Sequence, residues 1–333
     1  MKKGIIAIIS CISWELHGQV ALPTFQATHY ASSVLYSFSS HTFTNCGETG
    51  RQGPTLAECK SSYDTVWEND TDLFNVVTQG IQEWTVPITG TYRIEAYGAQ
   101  GGNRDGAGGE GARIRGDFSL NLGDIIFILV GQEGSISIEY GGTNDGGGGG
   151  GGTFVVKKSG SGVSDAQTAD ILVIAGGGGG KTGSYSDNVN EGRTTTDGGD
   201  TYNNGGGTNG GGGDDGQTNG PAAGGGGFLT DGQNTSYGTG TNGGKSFLNG
   251  GKGGTGTAGS AGDGGKGGFG GGGGGWHNSL CRSGGAGGYS GGQGGTWSGV
   301  KGGGGGGSIN NGSNTSNSAG SREGHGQVII ALN

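Results

Sequence analysis

The chain is 333 residues long and 92 of them are glycine, more than a quarter, against about 7% in an ordinary protein. Apolar residues reach only 29% and charged residues 14%, and 18 Lys+Arg against 27 Asp+Glu leave a net charge of −9. Collagen is ruled out by four prolines and the lack of a strict Gly-X-Y period. A helical protein is disfavoured because glycine costs about 1 kcal/mol per helical position relative to alanine. The acidic balance disfavours nucleic acid, whose phosphates demand a basic face, and the apolar fraction is small for a metabolic enzyme of this length.

Residues 1–33 read as a weakly signal-like or unstructured leader. Lys2 and Lys3 precede a short apolar stretch that Glu15 closes. No later segment approaches the 18 or so apolar residues of a membrane helix. Membrane association is therefore expected only through another chain or an uncleaved N-terminus. From 34 to 333 the chain reads as one unit.

Strand signals come next. Val34, Tyr36, Phe38 and Phe43 belong to an extended stretch leading to Cys46. Cys46 and Cys59 enclose a loop rich in turn residues, among them Gly47, Gly50, Gly53 and Pro54, which can bring the two sulfurs together. The pair reads as a disulfide, which implies an oxidising compartment; two reduced core thiols are the alternative. Trp84 and Val86, then Tyr92, Ile94 and Ala96, alternate on either side of Pro87–Gly90 and read as a hairpin. Ala112–Leu120 alternates in part. Ile125–Val130 and Ile171–Ala175 are continuous apolar runs, expected to be central strands buried on both faces. Thr153–Lys157 and Gln327–Leu332 complete the set. Strands thus concentrate in 34–175 and return at 325–333, so the last must pair back across a long glycine-rich insertion. A β-sandwich fits that order.

The insertion, mainly 141–320, contains glycine runs centred near Gly148, Gly178, Gly226, Gly273 and Gly305. Gly/Ser-rich chain is by default a flexible linker. Two features argue otherwise: the runs abut strands, and Phe228, Phe247, Phe269, Trp276, Tyr289 and Trp297 punctuate them. Polyglycine can form an extended threefold helix without internal hydrogen bonds. Bare strands of that kind approach closely and bond to one another, and a Cβ would push them apart.

Catalytic signals are absent. Ala175–Thr182 matches a phosphate-binding loop, but no helix-forming sequence follows it. Gly254–Gly259 matches a dinucleotide loop without a preceding strand. The five histidines do not cluster, no kinase signature occurs, and no cofactor, metal site or enzymatic activity is expected. N-x-[ST] sequons stand at Asn69, Asn234, Asn311 and Asn314, a faint sign of secretion.

Several segments recur in a fixed order. They are Phe43-Thr-Asn-Cys46-Gly47 through Gly53-Pro54-Thr55 to Cys59; Trp84-Thr-Val-Pro87 with Thr91-Tyr92-x-Ile94 and Tyr97-Gly98-Ala99-x-Gly101-Gly102; Ile128-Leu-Val-Gly131-Gln132; Thr153-Phe154-Val155 to Ile174-Ala175-Gly176; Phe269-Gly270 through Tyr289-x-Gly291-Gly292; and Glu323-Gly324-His325-Gly326-x-Val328. Together they resemble the extracellular glycine-rich domain of the anaplastic lymphoma kinase and leukocyte tyrosine kinase receptor family. The resemblance implies a TNF-like β-sandwich (jelly roll) with a large inserted polyglycine-II helix bundle. It also implies a cell-surface or extracellular location, a small basic secreted protein or another surface protein as partner, and Glu323 as a ligand contact. An aromatic partner that the family places upstream has no clear match. The first reading is thus a protein-binding module without a catalytic domain; the second is a surface adhesin or structural glycine-rich protein. Exposed aromatics at the glycine tips would favour the second, an acidic patch around Glu323 the first.

Overall fold

A computed structural model describes residues 34–102, 108–136, 146–182, 190–216, 222–235, 240–258, 264–277, 282–296 and 302–333. The leader, Cys281 and Trp297 lie outside these. In chain order the elements are β1 (Ser40–Phe43), α1 (Leu56–Ser62), β2 (Phe74–Thr78), β3 (Ile81–Thr85), β4 (Gly90–Tyr97), β5 (Gly111–Leu120), β6 (Ile125–Leu129), β7 (Thr153–Lys157) and β8 (Ile171–Ala175). They continue with the two-residue strands β9 (Thr257–Ala258), β10 (Trp276–His277) and β11 (Ile309–Asn310), then β12 (Ser313–Arg322) and β13 (Gln327–Leu332). The protein is mainly β with almost no helix. One antiparallel sheet has the order β1-β13-β4-β5-β12, the other β11-β8-β7-β6-β3-β2. The C-terminal β13 lies between β1 and β4 and so closes the chain on its own start.

The expected hairpin across Pro87 does not form. β3 pairs with β2 and β6 in the six-stranded sheet, whereas β4 pairs with β5 and β13 in the five-stranded one. Pro87 has no N–H to give a ladder, and its carbonyl accepts the Leu35 N–H at 2.8 Å. The Tyr92 hydroxyl donates to the Ile88 carbonyl at 2.7 Å and holds the crossover segment. The hairpin at this place is instead β2–β3, which turns through Gly80 at φ +86°.

The apolar runs are buried on both faces because each face has its own cover. Ile126 and Ile128 belong to a cluster shared with Tyr92, Ile94, Ile114, Val328 and Ile330 of the other sheet. Phe127 and Leu129, pointing the opposite way along the same strand, join Phe154, Val156 and Ile174. That second cluster is completed by Phe228, Phe247, Phe269 and Tyr289 of the glycine-rich region. Phe154 stacks on Phe247 at 5.2 Å and Phe247 on Phe228 at 5.4 Å. The aromatics that punctuate the glycines therefore fasten that region to the back of a sheet.

The glycine runs hydrogen-bond to one another. The Gly177 and Gly180 N–H groups donate to Gly287 and Gly284, and Gly303 and Gly306 donate to Gly180 and Gly177. Between them, Gly178 donates to Ala99 and Gly179 to Asn190. Each run thus returns to the same neighbour every third residue and bonds to different neighbours in between. A Cβ at Gly148, Gly178, Gly226, Gly273 or Gly305 would fall within 3.0 Å of a backbone carbonyl oxygen, that of Lys266, Gly109, Lys245, Ala223 or Glu191 respectively.

Cys46 and Cys59 form a disulfide with their Cα atoms 4.9 Å apart. The loop between them is not purely turns: α1 forms there because Thr55 and Glu58 make a reciprocal capping box. Beside it, the His41 ring on β1 is ringed edge-on by Phe43, Tyr63 and Trp67 at 4.6, 4.7 and 4.9 Å. Its Nε2 is buried without a partner. Burial pushes the His41 pKa from 6.5 down to about 4, against a smaller pull from Glu68.

Two outcomes follow from this packing. Gly178→Val drives a side chain into the Gly109 carbonyl, and limited proteolysis should cleave the variant in 146–307 under conditions that leave the native chain whole; equal resistance would contradict the close-packed reading. For His41 the unfolded chain binds the extra proton below about pH 6.5 and the folded chain only near 4, so stability is complete above the first value and declines between the two. Urea unfolding should show the midpoint falling across that interval, with the fall reduced in His41→Phe.

Candidate functional site

Glu323 sits exposed in the turn between β12 and β13. Gly324 makes that turn at φ +69°, where a side chain would be strained. The turn is clamped on both sides. The Gln100 backbone N–H donates to the Gly324 carbonyl at 2.8 Å, and the Gly324 N–H donates to the Gln100 side chain at 3.0 Å. His325 Nδ1 accepts the Glu133 N–H at 3.0 Å, which requires a neutral ring. Burial and the neighbouring Arg322 hold the His325 pKa down and so favour that form. Arg322 donates to the His325 carbonyl at 2.8 Å and lies 5.8 Å from the centre of the Tyr97 ring. The glutamate is therefore presented on a rigid support.

Two further carboxylates gather there from distant segments. Glu110 stands immediately before β5, and its N–H donates to Glu191 Oε2 at 2.6 Å. The Gly192 N–H returns to the Glu110 carbonyl at 2.7 Å, which fixes the two glutamates side by side. Glu110 is held above the usual carboxylate range by burial first, then by the charges of Glu191 and Glu323, with Lys181 opposing. Lys181 is itself 3.8 Å from Glu191. Glu133, behind the turn, is also raised, by burial alone. The like charges of these carboxylates thus act on one another, with Lys181 partly offsetting them. Of this group the sequence singled out only Glu323. Glu110 and Glu191 are far away along the chain, and nothing local marks them.

The other sequence candidates are dispersed. The glycines of the phosphate-loop match give their N–H groups to Gly287, Ala99, Asn190 and Gly284, leaving no cradle for an anion. Asn69, Asn311 and Asn314 use their side-chain amides on Glu68, the Ile171 carbonyl and Asp117, while Asn234 accepts the Gly243 N–H at 2.9 Å. Phe228, Phe247, Phe269, Trp276 and Tyr289 are all buried. Among the described residues, no group of three or more His, Cys, Asp or Glu side chains could hold a metal ion, and no helix is long and apolar enough to cross a membrane.

A charge test follows. Because the folded pKa of Glu110 lies above its ordinary value of 4.5, its ionised form weakens the fold once the pH exceeds that folded value, and the penalty is absent below 4.5. Glu110→Gln should therefore raise the urea midpoint at pH 7 and leave it unaltered at pH 4. A gain of equal size at both values would show that packing, not charge, is responsible.

No protein-family model matches the chain. A stretch of 97 residues, 28% of this chain, is 40% identical to part of the leukocyte tyrosine kinase receptor of Mus musculus. The chain spans 11% of that receptor's length. The similarity is thus to a segment of a receptor tyrosine kinase, in a chain that carries a disulfide and two antiparallel sheets.

Proposed function

We propose that residues 34–333 are an extracellular protein-binding module, akin to the ligand-binding glycine-rich part of a receptor tyrosine kinase. In this reading the two sheets, which share one apolar cluster, are a β-sandwich of the TNF-like jelly-roll type. The glycine runs, with their threefold bonding rhythm, are an inserted polyglycine-II bundle. The disulfide and the partial similarity to a receptor support a location outside the cell or on its surface.

One observation carries the functional part: Glu110 is hydrogen-bonded through its N–H to Glu191 and feels the charges of both Glu191 and Glu323, although the three lie on separate segments. A small basic protein is the partner whose charge those carboxylates fit. The adhesin reading has less support, because Phe228, Phe247, Phe269, Trp276 and Tyr289 are buried and, among the described aromatics of the glycine-rich region, Tyr202 alone is exposed.

The test is affinity capture of small basic secreted proteins by the folded full chain, compared with a Glu191→Gln/Glu323→Gln variant. Loss of two carboxylate charges should weaken binding by about tenfold and flatten its salt dependence. An identical captured set, bound equally well by the variant, would remove the carboxylates from the argument. Binding to whole cells without any protein partner would move the function to adhesion.

A further inference from the structure

Two hollows, of about 280 and 210 Å³ and lined by none of the three glutamates, share Lys252. Arg51, Asn234, Asn242 and Lys245 line the first; Gln52, Thr78, Gln79 and Phe269 line the second. Each falls below the roughly 300–1,000 Å³ of drug-sized sites, with Lys252 at the border between them. In a chain with a net charge of −9, this groove gathers three cationic side chains.

The three are not equivalent. Lys245 is already answered by Asp231 at 2.7 Å, and Asp231 is held in place by the Ser246 N–H and the Asn249 amide. Arg51 and Lys252 have no carboxylate partner among the described residues. Arg51 is anchored through Nε, which donates to the Gly253 carbonyl at 2.8 Å. That bond restrains the guanidinium, and its two terminal nitrogens have no bond among the described residues. Burial lowers the pKa of Arg51, and no acidic neighbour raises it again. A restrained guanidinium lacking a counter-ion suits a planar or tetrahedral oxyanion, which it binds through two parallel hydrogen bonds.

The rest of the lining narrows the ligand. Asn234 accepts the Gly243 N–H through Oδ1, so its amide nitrogen remains a donor. Gln79 donates to the Gly53 carbonyl at 3.1 Å and keeps its own oxygen as an acceptor. Amides of both polarities and a threonine hydroxyl match the vicinal hydroxyls of a sugar ring. The one large apolar side chain, Phe269, is only 1% exposed and forms the floor, so the groove has no pocket for the apolar residues of a peptide.

We propose that this groove binds an acidic saccharide, a sugar bearing a carboxylate or a sulfate ester, with Arg51 and Lys252 holding the anionic group and Asn234, Asn242 and Gln79 the hydroxyls. The site uses none of the three glutamates and does not depend on the protein-binding reading.

The experiment is calorimetric titration of the unglycosylated full chain at low ionic strength. The probes are a chondroitin sulfate tetrasaccharide, sialyllactose and neutral lactose. At least one acidic probe should bind and lactose should not. Binding of sialyllactose identifies a carboxylate as sufficient, and binding of the tetrasaccharide alone identifies the sulfate. The Arg51→Gln/Lys252→Gln variant should lose about tenfold or more, since two charge-assisted contacts are removed. Lys252 is exposed, so Lys252→Gln alone leaves the fold intact and should lose about threefold if the double variant fails to fold. Lys60→Gln, on α1, should bind like the native chain. The proposal is overturned if neither acidic saccharide binds the folded protein or if Lys252→Gln binds undiminished. Tighter binding of a polyglutamate peptide or of a single-stranded oligonucleotide than of either saccharide also overturns it.

Discussion

Everything in this molecule rests on how closely one backbone can approach another when no Cβ stands between them. A glycine run exposes every N–H and C=O, and burial makes each of them a debt unless a partner is found. Here the partner is another run. Gly177, Gly180, Gly284, Gly287, Gly303 and Gly306 bond among themselves in a three-residue rhythm. The contact distance that makes this work is shorter than a methyl group allows at Gly178, Gly305 and their neighbours. Ordering so much glycine is entropically expensive. The two sheets offset that cost by anchoring the runs at their ends, as where Ala175 of β8 leads directly into Gly176.

The anchoring is also lateral. A strand such as β6 is apolar on both faces because it serves two masters, the other sheet through Ile126 and Ile128 and the glycine region through Phe127 and Leu129. Phe228, Phe247, Phe269 and Tyr289 are the other half of the second contact. Without them the glycine lattice would have backbone hydrogen bonds but no hydrophobic attachment to the rest of the protein. The polar edge strand β12, rich in Ser and Asn, ends the five-stranded sheet with a row of residues that does not invite a further strand. The charged features use the same framework. Glu191 lies in the glycine-rich region, Glu110 beside β5 and Glu323 in the last turn, and backbone bonds bring the first two together.

What could be read in the sequence was local. Ile171–Ala175 and Thr153–Lys157 are strands with the boundaries their apolar runs indicate, and Gln327–Leu332 returns to pair near the start of the chain. The cysteine pair is a disulfide. β12 is not legible in the sequence because Ser-Asn-Thr-Ser-Asn-Ser carries no hydrophobic alternation; it is a strand only because β5 offers it a ladder. α1 is faint because a seven-residue helix inside a loop has little periodicity, though Thr55 and Glu58 are its signal. The crossover at Pro87 looks like a hairpin in sequence because a turn between two apolar stretches does not say whether they end in the same sheet.

The sequence alone determined that this chain is a β protein with a glycine-rich insertion too dense in backbone and too punctuated by aromatics to be simple linker. Composition and alternation act at the range of a few residues, and those facts live at that range. Only the tertiary structure decided which strands are neighbours, where the aromatics are driven, that Glu110 and Glu191 are bonded together, and that Arg51 and Lys252 line one hollow. Those outcomes depend on contacts between residues far apart along the chain, 202 positions in the case of Arg51 and Gly253, and no local pattern along the chain records them.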